Sequence, residues 1–276
     1  MPFVAILRKI YRKWIYLPWL DKLIYTVLDT ATDIYSFTTR YSFPSYYIRR
    51  FKLNMLWQLY EKETVQLFKK IIKPKMIVMD IGAHIGYFTR IFSKLAGTDG
   101  VVYAFEADPE NFQLLIKNTK HLKNTKLCKA AITDSTGIID FFHSNIKSGC
   151  HSIVPAEFRS QKIAVPAITL DEFAQRKGIN KIDIIKMDIE GGEYLALQGM
   201  KKIFENNPDI VLVLEFCLEN NELANINSEK FLKQMEEFGL SIFAIRQNKL
   251  DKVTSSSSVQ EITQGADFIN LYCTKK

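Results

Sequence analysis

Two stretches carry residues whose types and spacing suit chemistry. In VMDIGAHIGYFT an apolar run ends on Asp80, and Gly82 and Gly86 follow before helical spacing begins. In IDIIKMDIEGGEY the residues Lys186, Asp188 and Glu190 stand at alternate positions, and Gly191 and Gly192 precede Glu193. A carboxylate at a strand end with glycines in the next turn suits an open α/β sheet, whose ligands bind beyond the carboxyl ends of the strands. Gly82 lets the backbone turn sharply, and Gly86 lets the chain approach a ligand without a Cβ in the way. The spacing G-x-x-x-G is not the dinucleotide fingerprint G-x-G-x-x-G, and no GK[ST] follows to make a P-loop. A ligand bound without a phosphate grip fits better.

VVYAFE ends on Glu106, 26 residues after Asp80. A carboxylate there can accept both hydroxyls of a ribose, so the glycine turn and Glu106 together describe a nucleoside site. A NAD-type or merely structural Rossmann domain is the alternative. In the second stretch, alternation puts Lys186, Asp188 and Glu190 on one side if the strand runs that far, and Asp188 then faces the same cleft as Asp80 and Glu106. Glu193 opens a helix, where the macrodipole favours a carboxylate, and that alone would account for it. Lys186 equally suits a structural ion pair.

The elements that must position these groups alternate regularly from Met76. MIVMD, VVYAFE, KLCKAAI, IDIIKMD, IVLVLEF, LSIFAIR and DFINLYC read as strands. IGYFTRIFSKLA, PENFQLLIKNTK, LDEFAQRK, EYLALQGMKKIF and SEKFLKQMEEF read as helices between them. Apolar strands alternating with amphipathic helices make βαβ units and a mostly parallel sheet. GIIDFF and QKIAVPAITL add strands before the fourth unit, the last two strands form an antiparallel hairpin, and DKVTSSSSVQEI between them reads as an exposed loop.

Charge divides the 276 residues unevenly. Residues 1–75 hold 14 Lys and Arg against 5 Asp and Glu, and the remainder holds 23 against 25, so the whole basic excess lies at the front. The same 75 residues carry 16 of the 34 aromatics. The sequence therefore predicts a basic, aromatic-rich helical extension over 1–75, with helices at 5–16 and 50–72, and an α/β domain over 76–276, divided near Lys73-Pro74-Lys75. No apolar run approaches the ~18 residues that span a bilayer, and Arg8, Lys9, Arg12 and Lys13 interrupt any signal-peptide pattern. Cys128, Cys150, Cys217 and Cys273 show no CxxC spacing, which indicates neither a zinc site nor a disulfide framework and suits a reducing cytoplasm.

VMDIGAHIGYFT, AFEADPENFQLL, AITLDEF and IDIIKMDIEGGEYLALQGM follow one another at the spacing of the FkbM family of S-adenosylmethionine-dependent methyltransferases, which this chain resembles over roughly residues 76–245. The resemblance implies the class I, Rossmann-like fold: an α/β structure with a seven-stranded sheet, mostly parallel with one terminal antiparallel strand. It implies methyl transfer from the sulfonium to an acceptor oxygen, most often on a sugar or natural-product scaffold. Carried over by position, Asp80, Gly82, His84 and Gly86 form the first cofactor loop. Many members carry Asn where this chain has His84. Glu106 takes the ribose, Ala107 and Asp108 flank the adenine, the segment from Ala130 to Asp134, with Ala131 in it, lies beneath the adenine, and Asp188 stands near the methionine end and the acceptor.

A sugar hydroxyl needs a general base within hydrogen-bond reach, or a metal that lowers its pKa. The base candidates are Asp188, Glu190, His143 and His151. His151, in FFHSNIKSGCHSIVP, is the preferred histidine, with a plain loop residue as its alternative, and His121 reads as a surface residue. Asp188 and Glu215, at neighbouring strand ends, would suit Mg²⁺ with waters completing the shell, unless Glu215 only fixes a loop. The expected acceptor is a small molecule, a sugar or a lipid-linked glycan. Two rival functions are a non-catalytic nucleotide-binding or docking module and a nucleic-acid methyltransferase. The slightly acidic catalytic domain and the absence of a [DNS]PP[YFW] signature disfavour the latter. The protein is expected to be cytoplasmic, with the extension either in peripheral contact with the inner, anionic face of a membrane or packed as a helical lid on the catalytic domain or a second subunit.

Overall fold

Each predicted parallel strand forms in the computed structural model, which describes residues 18–144, 149–247, 249–263 and 268–275. The predicted helix over 5–16 lies outside the described residues. The chain divides into two compact units, one ending at Tyr60 and one beginning at Glu61.

In the N-terminal unit, α1 (Pro18–Thr38) and α2 (Arg49–Leu56) are joined by ion pairs from Arg49 to Asp29 at 2.9 Å and from Lys52 to Asp33 at 3.2 Å. These exposed pairs contribute little, about 0–1 kcal/mol each. An aromatic ladder of Tyr41, Phe43, Tyr47, Phe51 and Tyr60, with centroids 4.5–6.2 Å apart, packs the rest. The predicted helix over 50–72 breaks after α2, where Gln58 and Glu61 take left-handed backbone. It resumes as α3 (Lys62–Ile71). Phe68 of α3 packs edge-on against Phe88 and Phe92, which is why this helix belongs with the catalytic unit and the division falls at residue 60 rather than 75.

The catalytic unit continues with β1 (Ile77–Ile81), α4 (Tyr87–Ala96), β2 (Val101–Phe105), α5 (Pro109–Thr119) and β3 (Thr125–Cys128). Three strands, β4 (Ala131–Ile132), β5 (Gly137–His143) and β6 (Gln161–Ile168), form a separate small sheet in the order β4-β6-β5. KLCKAAI is thus two strands in two sheets, not one. The chain then runs through α6 (Leu170–Lys177), β7 (Ile184–Met187), α7 (Glu193–Gln198), α8 (Lys201–Asn206) and β8 (Val211–Cys217). It closes with α9 (Leu218–Leu223), α10 (Ser228–Glu237), β9 (Leu240–Arg246), β10 (Lys249–Lys252), α11 (Ser256–Thr263) and β11 (Phe268–Lys275).

The large sheet has the order β10-β9-β11-β8-β7-β1-β2-β3. The strands β3, β2, β1, β7 and β8 are parallel, and β11 runs antiparallel between β8 and β9. These seven are the predicted class I arrangement, and β10 adds an eighth at the edge. The segment read as an exposed loop supplies β10 and α11, anchored by the buried Val253 and Val259. Its serine run conceals the helix because no apolar period survives in it. One helix predicted over EYLALQGMKKIF is two. At Gly199 a Cβ would lie 2.3 Å from the Thr133 carbonyl oxygen, so the chain passes there only as glycine.

Candidate active site

The end that the resemblance assigns to the cofactor is built on the turns after β1 and β2. Gly82 and Ala83 donate their backbone N–H groups to the Phe105 carbonyl, at 3.0 and 2.9 Å, and lay one turn beside the other. His84 adopts left-handed backbone (φ 52°) and donates its N–H to Glu106 Oε2 at 2.7 Å; Asp108 N–H donates to Oε1 at 2.8 Å. One main-chain donor from each turn therefore grips the Glu106 carboxylate. Each oxygen keeps a lone pair for a further donor. Burial pushes Glu106 up to about 7 even against these bonds, and two ribose hydroxyls would favour the ionised form.

Asp80 is fully buried, and burial raises its pKa although Lys186 and Thr89 oppose the rise. Its Oδ2 accepts from the Thr89 hydroxyl at 2.5 Å, while Oδ1 has no hydrogen-bond partner among the described residues. A buried carboxylate oxygen left over and a gripped one at the next strand end form an acceptor set suited to a cationic nucleoside such as S-adenosylmethionine. Ala107 and Ala131 fall in one apolar cluster with Phe141, Val165 and Ala167. Asp134 is not brought there. It is exposed in the turn after β4, accepting from Thr133 and Ser135, because β4 leaves the large sheet.

Asp108 has a second task. Its Oδ1 caps α5 by accepting from Glu110 and Asn111 N–H, and its Oδ2 accepts from His143 Nδ1 at 2.6 Å. His143 stacks on His151 at 4.0 Å, and His151 Nδ1 accepts the Ser144 N–H at 2.8 Å. With Nδ1 so engaged, the neutral His151 ring carries its proton on Nε2 and has no open lone pair. Burial depresses it to about 4, with Asp108 opposing and His143 adding to the fall. Burial likewise takes His84 to about 4, helped by His151. His151, the preferred base on the sequence, is thus engaged at Nδ1 by the Ser144 N–H and packed on His143. The same histidines and Asp108 lie within 4.8 Å of one another as metal donors, but the two rings are stacked within 17° of parallel and cannot both point in-plane at one ion.

The end that the resemblance assigns to the acceptor is built on β7 and β8. Lys186 Nζ lies 3.0 Å from Asp188 Oδ2 and 4.9 Å over the Phe88 ring. Burial would lower the Lys186 pKa, but Asp188, Asp80 and Glu61 outweigh it and the net shift is upward. The strand ends at Met187, so Glu190 arrives by a turn with left-handed backbone (φ 57°) rather than by strand alternation. Glu190 is then pinned: Asn220 Nδ2 donates to its Oε2 at 3.0 Å, and Arg159 Nη2 lies 3.7 Å away. Arg159 is buried and also donates to the Cys150 and Val154 carbonyls at 2.7 and 3.0 Å. Neither Arg159 nor Asn220 carries a sequence signal, since each stands alone in a loop or short helix. Glu193 closes the turn, accepting from Ile189 and Gly191 N–H at 2.8 and 2.9 Å, and burial pushes it up to about 7. Burial, then the charges of Asp188 and Glu190, push Glu215 up to about 10. One carboxylate oxygen each from Asp188, Glu190 and Glu215 lies within 4.8 Å of the others.

The glycines join these ends in an unexpected way. A Cβ on Gly82 would sit 1.8 Å from the Asp188 carbonyl oxygen, so this glycine brings the β1 turn against the β7 turn. A Cβ on Gly86 would meet Leu115 at 2.9 Å and Thr119 at 3.2 Å. Gly86 therefore serves packing of α4 on α5 as well as its left-handed backbone, and not only a ligand's approach.

Residues 80–241 match the family described as Methyltransferase FkbM domain. Hexuronic acid methyltransferase AglP of Haloferax volcanii is 23% identical over 171 residues, 61% of this chain and 68% of that protein. The 2-O-methyltransferase NoeI of Sinorhizobium fredii is 28% identical over 152 residues, 50% of this chain and 62%, under two thirds, of that protein. A solved S-adenosylmethionine-dependent methyltransferase from Aquifex aeolicus superposes with a TM-score of 0.43 at 15% identity, over 76% of this chain and 88% of that one. With the family domain covering more than half its length and the strand order in place, the chain belongs to the FkbM family of S-adenosylmethionine-dependent methyltransferases.

Proposed function

We propose that the protein methylates a hydroxyl oxygen of a sugar, glycan or glycolipid, with Asp188 as the general base. The observation that carries this reading is the backbone contact between the two turns. It brings the Asp188 main chain against the β1 turn, and the Asp188 charge acts on Asp80 and His84 of that turn, which supports a reacting hydroxyl beside it. The cofactor supplies a methyl group already activated on a sulfonium. Glu106, with the His84 and Asp108 N–H groups behind it, orients the ribose. Asp80 and Asp188 offer carboxylate oxygens to the positive end, and Lys186 holds Asp188 in place. Asp188 accepts the hydroxyl proton as the oxygen attacks, work typically worth about 10²–10⁴ in rate. Glu190, pinned by Arg159 and Asn220, shapes the turn. The relatives named for hexuronic acid and 2-O methylation support a sugar acceptor. Asp188→Asn is expected to lower turnover by about 100-fold or more and to leave S-adenosylhomocysteine affinity within about twofold; an unchanged rate would remove Asp188 from the chemistry.

A divalent ion such as Mg²⁺ at Asp188 and Glu215, with Glu190 beside them, is a second reading. The converging oxygens support it, as does the Glu215 carboxyl, whose proton such an ion would displace. These ligands would lend Lewis acidity at the acceptor oxygen. Full activity after exhaustive EDTA treatment rejects it, and loss restored by Mg²⁺ upholds it.

For the N-terminal unit we propose peripheral binding to an anionic membrane, which would favour a lipid-linked glycan as acceptor. No helix among the described residues is long and apolar enough to cross a membrane. On α1, however, Leu23, Ile24, Val27, Leu28, Ile34 and Phe37 are exposed. Residues 1–60 hold nine Lys and Arg against three Asp. Apolar side chains beside a basic excess suit a helix lying in the headgroup layer. The full chain should co-sediment with phosphatidylserine-containing vesicles at low salt and be released by Val27→Asp with Leu28→Asp. Equal recovery with and without vesicles rejects the reading.

A further inference from the structure

We propose that Glu61 is a specificity-determining residue of the acceptor end, selecting sugars that carry no negative charge, neutral or amine-bearing, against uronic acids. The inference rests on the sugar-methyltransferase reading and adds the charge class of its substrate. Glu61 lies outside the matched family domain, at the N-terminus of α3. It takes left-handed backbone, φ 44° and ψ 48°, a conformation costly for a side chain of this kind. Such strain persists only where surrounding contacts enforce it. Here the contact is a hydrogen bond from Asn270 Nδ2 to Glu61 Oε2 at 2.8 Å. Asn270, on β11, is also outside the matched domain, and its register partner on β8 is Glu215. Two residues from outside the family domain therefore meet beside the carboxylates of the acceptor end. Asn270 thus ties Glu61 to the strand position paired with Glu215, and the Glu61 charge acts on Lys186, Glu215 and the buried Tyr87 hydroxyl.

The charges at this end are lopsided. Glu61, Asp188 and Glu190 supply three carboxylates, beside the Glu215 carboxyl that burial keeps protonated. The cations among the described residues facing them are Lys186, bonded to Asp188, and Arg159, bonded to main-chain carbonyls and beside Glu190. A uronate would bring another carboxylate to a partly desolvated site whose cations are already engaged, and like charges repel most strongly where water is scarce. A neutral hydroxyl-rich ring can donate to these oxygens, and an ammonium group would find partners among them.

Calorimetry on the full chain saturated with S-adenosylhomocysteine tests this, titrating the methyl glycosides of glucose, glucosamine and glucuronic acid. Wild type is expected to bind the first two at least tenfold more tightly than the uronoside. Glu61→Gln keeps an oxygen for Asn270, so the turn survives, and it should narrow that gap at least threefold; Glu61→Lys should reverse the order. S-adenosylhomocysteine affinity should stay the same in both variants. Equal binding of the three glycosides, including none by any, overturns the proposal, as does a ranking indifferent to both substitutions. Failure of S-adenosylhomocysteine to bind wild type in the same cell would instead strike the cofactor reading.

Discussion

The two ends of the cleft hold their carboxylates by different means. At the cofactor end Glu106 is gripped by main-chain N–H groups from two turns, and Asp80 by a threonine hydroxyl. At the acceptor end Asp188 is held by Lys186, and Glu190 by Arg159 and Asn220, so each group is placed by another side chain. A main-chain grip depends on turn geometry and tolerates change elsewhere. A charge-held set balances as a whole, and its members couple non-additively. The cofactor end can thus stay constant while the acceptor end is re-tuned, a useful division in a family whose relatives are named for different acceptors.

The largest effect is expected where the ends touch. Gly82→Ala places a methyl group 1.8 Å from the Asp188 carbonyl oxygen, on backbone at φ 79°. The neighbour is main chain and cannot rotate away, so one turn must move. Overpacking costs about 1–3 kcal/mol and the left-handed backbone about 1 kcal/mol more. Thermal melting should fall by several degrees, and both S-adenosylhomocysteine affinity and turnover should drop. Loss of affinity alone would show that the turns are independent and break the comparison.

Glu106→Ala sharpens it from one side. Hydrogen bonds to a charged group are worth about 1.5–3 kcal/mol, so S-adenosylhomocysteine should bind more than tenfold more weakly. Turnover at saturating cofactor should fall far less, because Asp188 is placed by Lys186. Calorimetry and steady-state kinetics on one preparation separate the two; an equal loss of turnover would mean that Glu106 also positions the acceptor end.

The same contrast explains what could be read from the sequence. Asp80, Gly82 and Glu106 stand at strand ends, where apolar runs stop, so their positions follow from periodicity. Ala107 and Ala131 come together because the strands before them are set by the same pattern. Asp188 was legible for that reason too. Glu190 was assigned by alternation, although the strand stops at Met187 and a left-handed residue carries the chain onward. Arg159, Asn220 and Glu61 reach the site through tertiary contacts at sequence separations of 30 or more, with no local period to betray them. His151 illustrates the converse: a histidine in the expected insertion is engaged at Nδ1 by a main-chain N–H that no spacing rule reveals. The serine-rich helix α11 and the break between α7 and α8 were missed for lack of period and for one glycine's close approach.

The smallest effect concerns Glu193, which sits at the acceptor end yet is held in the manner of the cofactor end, by Ile189 and Gly191 N–H. Burial raises it from 4.5 to about 7. Between those values the folded chain keeps a proton that the unfolded chain has lost, so this group's contribution to stability falls as pH rises through the window and is constant above it. Glu106 acts in the same direction over the same range. His84 and His151 act oppositely. Depressed from 6.5 to about 4, they bind fewer protons than the unfolded chain in that interval, so their contribution is lost as pH falls. Glu215, raised to about 10, and Asp80, also raised, lose their contributions as pH rises over the same interval, so the wild-type melting temperature should decrease from pH 5 to 7. Glu193→Gln removes one falling contribution and leaves the others. Its melting temperature relative to wild type should rise from pH 5 to 7.5. One pKa unit corresponds to about 1.4 kcal/mol, and a chain of this size shifts about 2–4 °C per kcal/mol, so a relative rise of at least about 2 °C is expected. Parallel melting curves for the two proteins across that range would show that Glu193 is ionised in the folded state throughout, and that main-chain donors at this turn outweigh burial where those around Glu106 do not.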